Sequence, residues 1–344
     1  MVLGWIFHLI LRMIRFILRP EVFVPLVFPG VAVALLILLL IFWIERKLTA
    51  KVQLRYGPLF VTRSLGGILQ AVADMLKFVF SEQIIPRTVD KLVFILGPLL
   101  LFTFAILPVI GIPISASYAA IASSMSLLIV VALLVTGPIF LLIIGWASNN
   151  KFSTIGGLRE GYLTISYEIP IVLSLLAMAA LYNSLDLIEI AESQIGVWGI
   201  LMNPIAALAF FIAALLAVGK YPYQIGEAET EIVAGYGSEY SSSLYILIMG
   251  ATYIRLYVMS LLFTIVFLGG WNPIPGFIPN FGPMPGGLIL MKSLVVMGLM
   301  VFLRSIYPRY RVDQGVKISW QKLFVLSMAS IGFTIILVAG GIPL

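Results

Sequence analysis

The sequence predicts an all-α, polytopic membrane protein of about eight transmembrane helices plus interfacial amphipathic helices. Three observations carry that prediction. Hydrophobic residues make up 61% of the 344-residue chain and charged residues 10%, for a mean hydropathy of +1.12, whereas a soluble fold of this size needs roughly a quarter of its residues charged. The apolar residues fall in runs long enough to cross a bilayer as helices, not in the alternating segments of about ten residues that build an outer-membrane barrel. Lys and Arg concentrate in alternate connections, the charge bias expected of a multi-pass protein.

Residues 1–20 read as one amphipathic helix. His8, Arg12, Arg15 and Arg19 recur at i, i+4, i+7 and i+11, while Trp5, Phe7, Ile10, Ile14 and Phe16 occupy other faces. Such a segment lies in the interface instead of crossing. A signal peptide is disfavoured, because charges interrupt each apolar stretch and no small-residue cleavage site follows. Residues 21–344 then form one membrane domain with spans near 22–44, 92–112, 122–147, 168–183, 199–219, 243–268, 287–305 and 322–342, the fourth of them short. Connections 46–91, 148–167, 220–242 and 304–322 hold sixteen Lys and Arg, whereas 113–121, 184–198 and 269–286 hold none. The basic set is expected in the cytoplasm, with both termini outside and the chain in the plasma membrane. Within 46–91, Gln70, Asp74, Lys77 and Ser81 repeat the i, i+4, i+7, i+11 stripe, which predicts a second interfacial helix over 66–81 on the cytoplasmic face.

The chain has no cysteine and one histidine, His8. It supplies no thiolate to a metal or iron–sulfur cluster and no imidazole set, so any redox cofactor is expected on a partner. The net charge of +6 reads as the positive-inside bias, not as a nucleic-acid footprint. No Walker loop, dinucleotide fingerprint or Ser-His-Asp arrangement is present, so a self-contained enzyme is not expected.

With charges this scarce, their placement is informative. Glu227, Glu229, Glu231 and Glu239 crowd connection 220–242, whose one basic residue is Lys220, and Glu168 sits at the mouth of the fourth span near Pro170. Two readings stand for this cluster: a proton relay between apolar helices, which burial and like-charge repulsion would tune, and a solvated acidic loop. Lys292 lies near the outer end of the seventh span, where snorkelling accounts for it. Arg255 lies about 18 Å inside the sixth span, too deep to snorkel, and is expected to face the bundle interior as a fixed charge on a polar axis.

The ordered motifs are ERKLTAKVQLRYGP at 45–58, GGILQAVADMLKF at 66–78, SNNKFSTIGGLREGYLTISYEIP at 148–170, GEAETEIVAGYGSEYSS at 226–242, FLGGW at 267–271 and LRSIYPRYRVDQ at 303–314. With these motifs the chain resembles the H-type membrane subunits of respiratory complex I, the NADH:quinone oxidoreductase, and their relatives in F(420)H(2) dehydrogenases and membrane-bound hydrogenases. The resemblance runs from Glu45 to about Trp320. It implies a subunit that holds most of the chamber where a lipid quinone meets the iron–sulfur cluster of a peripheral subunit, and that links this chamber to proton translocation. On that resemblance Arg46, Arg55, Tyr223, Glu227 and Glu229 line or gate the chamber, with Gln224 beside them. Glu168, Arg159, Glu231 and Glu239 lead to the membrane proton path. The implied partners are peripheral iron–sulfur and quinone-site subunits together with antiporter-like and small membrane subunits. The quinone is shared with those partners, and this chain alone binds no cofactor and no metal.

Two departures from the family pattern mark an archaeal-type or acceptor-modified branch. Pro222-Tyr223-Gln224 stands where the family has Pro-Phe-Asp, and Ala251-Thr252-Tyr253, with Arg255 nearby, stands where members carry a Glu in the sixth span. Two other functions remain open at this stage. One is the anchor of an energy-converting hydrogenase. The other is a stand-alone secondary transporter, disfavoured because the ordered polar residues gather at the cytoplasmic ends and not in broken helices at midplane.

Overall fold

Among the described residues seven helices are long and apolar enough to cross a membrane, and a shorter apolar helix of 15 residues, Pro204–Val218, lies where the fifth span is expected. The structure, a computed structural model, describes residues 12, 19–121, 123–272 and 285–340. The interfacial helix expected over 1–20 falls almost wholly outside them. The described residues contain no strand beyond an isolated bridge between Ser115 and Tyr118, and the chain is a multi-pass membrane protein.

In chain order the main helices are α1 (Val31–Val52), α2 (Leu69–Phe80), α3 (Lys91–Ile106), α4 (Ser126–Thr136) and α5 (Ile139–Ala147). There follow α6 (Lys151–Tyr182), α7 (Pro204–Val218), α8 (Ser242–Phe267), α9 (Pro285–Ile306), α10 (Val312–Ile318) and α11 (Phe324–Ala339). The third span is broken into α4 and α5 at Gly137-Pro138, where the proline has no N–H to return to the preceding turn. Helix α8 is the central column. It packs against α1, α3, α7 and α9, and α6 packs against α5, α7 and α11.

Two expected connections turn out to be helical. Residues 151–167, expected as part of a loop, are the first half of the 32-residue α6. Asn150 caps its start by accepting from the Phe152 N–H at 2.9 Å, and Gly145 of α5 lies so close to Gly157 that a Cβ on it would fall 3.0 Å from the Gly157 Cα. Polar, glycine-rich composition therefore marks a close helix crossing here. Likewise 312–322, expected as the end of a loop, is α10 followed by a π-helical turn over Ser319–Leu323 that runs into α11. Helix α2 forms as the stripe at 70–81 predicts, with Gln70 donating to Asp74 at 2.8 Å along it.

Hydrogen bonds gather the connections at two ends. At one end Ser242 donates to the Phe78 and Ser81 carbonyls, and Asn149 donates to that of Thr88. At the other, buried Gln194 donates to the Ile190 and Ile265 carbonyls and accepts from the Gly199 and Gly269 N–H groups. The basic connections share the first end. Lys292 turns to the connection at this second end: its Nζ donates to the Leu268, Gly270 and Asn272 carbonyls at 2.7, 3.0 and 2.6 Å and lies 4.8 Å from the Trp198 ring centre.

Candidate functional site

The acidic connection 220–242 folds as a short turn of helix, Glu229–Ile232, and a 3-10 turn, Gly235–Gly237, laid against the first half of α6. Gly156 permits that contact, because a Cβ there would fall 2.6 Å from the Tyr236 nitrogen and 2.8 Å from the Gly226 carbonyl oxygen. Glu227 is the centre of the connection. Tyr236 donates to its Oε1 at 2.7 Å and Gln224 to its Oε2 at 2.8 Å, while the Gln224 Oε1 is buried with no partner. Burial, reinforced by the Glu227 charge, pushes the Tyr236 hydroxyl well above its ordinary value, so it stays a donor. Tyr223 is buried 5.5 Å from the Tyr310 ring, and burial raises its hydroxyl to about 12.

Below this layer lies Glu160, 4% exposed. A Cβ on Gly226 would fall 2.8 Å from one of its carboxylate oxygens. Glu160 is within electrostatic reach of Glu227 on one side and Arg255 on the other. Arg255 faces the bundle interior, as its depth in the sixth span predicts, and its Nη1 donates to the Ala217 carbonyl at 3.0 Å. Glu168, two turns beyond Glu160 on α6, is also within reach of Arg255, and its Oε1 is buried without a partner.

The other expected residues sit nearer the surface. Arg159 donates to Glu231 at 2.5 Å, and Arg309 donates to the same carboxylate at 3.0 Å and to the Thr230 hydroxyl at 2.7 Å. Glu231 is thus clamped between α6 and the start of the C-terminal segment. Asn150 donates to Glu239. Arg46 bonds Asp74 at 2.5 Å and lies over the Phe42 ring, tying α1 to α2. Arg55 is exposed, bonded to Gln53 at 2.7 Å, and Glu229 is exposed; neither joins the buried layer.

Sequence reasoning passed over Glu160 and a second buried cluster. Glu45, 5% exposed, is ion-paired with Arg304 and accepts from the Tyr253 hydroxyl at 3.0 Å. Lys220, 6% exposed, places its Nζ 3.9 Å from the Tyr253 ring centre. Glu160 was hidden by the expectation of a loop over 148–167, since only a helix puts it on the same inward side as Glu168. Glu45 could have been found, because it ends an apolar run whose last turns have no other acid. Among the described residues, no group of three or more His, Asp or Glu side chains is placed to hold a metal ion.

The chain is similar to known proteins over most of its length. The chain is 36% identical over 294 residues to the H subunit of NADH-quinone oxidoreductase from Geobacillus thermodenitrificans, covering 85% of this chain and 87% of that one. It is 38% identical over 314 residues to the H subunit of the same enzyme from Bacillus cytotoxicus, covering 90% and 93%. To the H subunit of F(420)H(2) dehydrogenase from Methanosarcina mazei it is 33% identical over 306 residues, covering 85% and 87%. The model of the NADH dehydrogenase family matches residues 26–335. That match takes in both buried clusters and every main helix from α1 into α11, and the chain belongs to the NADH dehydrogenase family.

Proposed function

We propose that this chain is the membrane subunit of a complex I-like quinone oxidoreductase, where it encloses the quinone-reduction chamber and links it to proton translocation. The observation that carries this reading is the succession Glu227, Tyr236, Glu160, Arg255 and Glu168, with Tyr236, Glu160 and Arg255 buried and the two end carboxylates half-buried, which leads from the acidic connection into the bundle. Buried ionisable groups in a membrane bundle are costly and mark ion pathways. The names of the relatives, H subunits of NADH-quinone oxidoreductase and of F(420)H(2) dehydrogenase, supply the reaction class.

In this proposal Tyr223, Gln224 and Glu227 face the quinone, which the unpartnered buried Gln224 Oε1 and the raised Tyr223 hydroxyl suit as hydrogen-bonding groups. Arg46, Arg55 and Glu229 stand at the mouth of the chamber. Arg159, Glu231 and Glu239 fix the acidic connection over the path, and Glu160, Glu168 and Arg255 line it. The electron carriers sit on peripheral iron–sulfur and quinone-site subunits docked at the loop end. Exposed Leu54, Tyr56, Phe60, Phe80 and Ile84 at that end support such docking. Antiporter-like and small membrane subunits adjoin the bundle, the quinone is shared with the partners, and the complex lies in the plasma membrane with both termini of this chain outside. The test is Glu227→Gln and Glu160→Gln in the complex reconstituted in liposomes. Quinone-dependent proton uptake should fall by about 10²-fold with assembly intact; wild-type coupling in both variants overturns the proposal.

A further inference from the structure

The half of the bundle away from the basic connections carries a lateral groove remote from both buried clusters. Helices α7 and α9 flank α8 there, and the space between them has a volume of about 670 Å³, inside the range of about 300–1,000 Å³ that small-molecule sites occupy. The groove starts at Pro204 of α7, Leu268 after α8 and Lys292 of α9, and it closes towards midplane at Phe211, Phe263 and Leu299. Pro204 and Phe211 are seven positions apart, as are Lys292 and Leu299, about 10 Å along each helix axis. The groove therefore lies within one leaflet, whose hydrocarbon is about 15 Å deep. Its lining is hydrocarbon from end to end: Lys292 contributes its methylene stem, because the ammonium turns to the carbonyls of the connection. Leu208 and Val295 on its two rims are 52% and 63% exposed, so it opens sideways.

A trough of this kind in a membrane is filled by another helix or by an acyl chain. The lining favours the chain. Helices approach closely over Gly, Ala, Ser and Thr, and of the residues that border this groove only Ala207 is one of these. The charge at its head says which lipid. Among the described residues Lys292 makes no ion pair, and its three carbonyl partners orient the ammonium without cancelling its charge. Asp186 and Glu189 of the neighbouring connection accept from Ser126 and Ser184 instead. The Trp198 ring beside Lys292 sets this end of the groove at headgroup level, where tryptophans of membrane proteins settle. An uncancelled cation there, above a trough of hydrocarbon, complements an anionic headgroup above its own chain. We propose that the groove binds an anionic phospholipid, with one acyl chain lying between Leu208 and Val295 and the phosphate drawn to the groove's head by the charge of Lys292. This site is independent of the quinone chamber and stands whatever the complex reduces.

The experiment is photocrosslinking in the whole complex, reconstituted in vesicles of equal parts phosphatidylglycerol and phosphatidylcholine. A benzoylphenylalanine replaces Leu208 in the groove or, as control, Ile336, which is exposed on α11 outside it, and the captured lipid is identified by mass spectrometry. At position 208 phosphatidylglycerol should exceed phosphatidylcholine by about fivefold, and at position 336 the two should be captured alike. Lys292→Met should bring the ratio at 208 down to that of the control. Val295→Trp, which fills the trough from its exposed rim, should cut total capture at 208 and leave capture at 336 unchanged. Equal ratios at both positions in the wild type, a preference that survives Lys292→Met, undiminished capture in Val295→Trp, or crosslinking at 208 to protein instead of lipid overturns the proposal. If Lys292→Met does not assemble, the wild-type ratio at low and high salt decides. A preference held by charge shrinks as salt screens it, and one indifferent to salt overturns the site.

Discussion

Glu231 shows how one carboxylate of the acidic connection is held at its surface by two arginines. It lies in the acidic connection with Glu227, yet it is 39% exposed and held by Arg159 and Arg309. The hydrogen bond from Arg159, with the charges of both arginines, holds its carboxyl below the usual value of 4.5. A depressed folded-state value stabilises the clamp above the unfolded value, and that contribution fades as pH falls from about 4.5 through the lower folded one. Exposed pairs contribute about 0.2–1 kcal/mol each. Glu231→Gln should therefore lower hydrogen-exchange protection of residues 228–233 slightly at neutral pH, and the difference from wild type should vanish in acid. A difference that grows on acidification would refute the clamp. Val233 in the same connection has φ +61° and is 60% exposed, a conformation that a β-branched residue adopts at a cost of about 1–3 kcal/mol. Val233→Gly should raise local protection by about 1 kcal/mol, measured by the same exchange; unchanged or lowered protection would mean the strain is relieved elsewhere.

Among the elements, α6 and the turn after α8 depend most on single contacts. Gly156→Ala puts a methyl group into the Tyr236 nitrogen and the Gly226 carbonyl. Overpacking of this kind costs about 1–3 kcal/mol, and the acidic connection, packed on α6 through this glycine, is the part that gives way. Quinone-linked proton uptake should drop while the helical content of the complex stays the same; normal coupling in Gly156→Ala would show that the contact is not needed. Lys292 ends α8 by donating to three carbonyls at once. Lys292→Met leaves those carbonyls without a donor, at a cost of about 1–3 kcal/mol for each that stays buried and unsatisfied. The melting temperature of the solubilised complex should fall, with Lys292→Arg milder than Lys292→Met. These two elements also mark the limits of sequence reading. Hydropathy located each span because twenty or so apolar residues leave lipid as the only solvent. It misjudged 151–167 and 312–322, where helices continue past the apolar run on polar caps and glycine crossings that have no apolar signature.

Across the whole molecule, the basic connections share one end and the connections without Lys or Arg share the other, so sidedness is a single binary question. The cysteine-free chain makes it testable. Glu82→Cys and Asp313→Cys, both exposed at the basic end, should react with an impermeant maleimide only in inside-out vesicles, and Glu192→Cys only in right-side-out ones. The reverse pattern would invert the molecule. Charge bias made the ends legible because it acts residue by residue. The site was legible only in part, since Glu227, Glu168 and Arg255 stand out as charges in an apolar chain. The pairings of Glu45 with Arg304 and of Gly226 with Glu160 depend on which helices cross, and crossing partners leave no local trace in one sequence.

Helix α6 carries Arg159, Glu160, Tyr167 and Glu168 on one continuous rod of 32 residues, about 48 Å long at 1.5 Å per residue. Two stations on one rod cannot approach each other. Glu160 and Glu168 are eight positions apart, about 12 Å along the axis, and no rearrangement of the acidic connection shortens that interval. Any path that uses both is therefore set by what fills the gap, as a railway is switched by its points and not by moving its stations. On the proposed reading, a proton passing from one to the other therefore crosses a fixed interval of about 12 Å, so the groups between them, and not an approach of the two carboxylates, have to carry it.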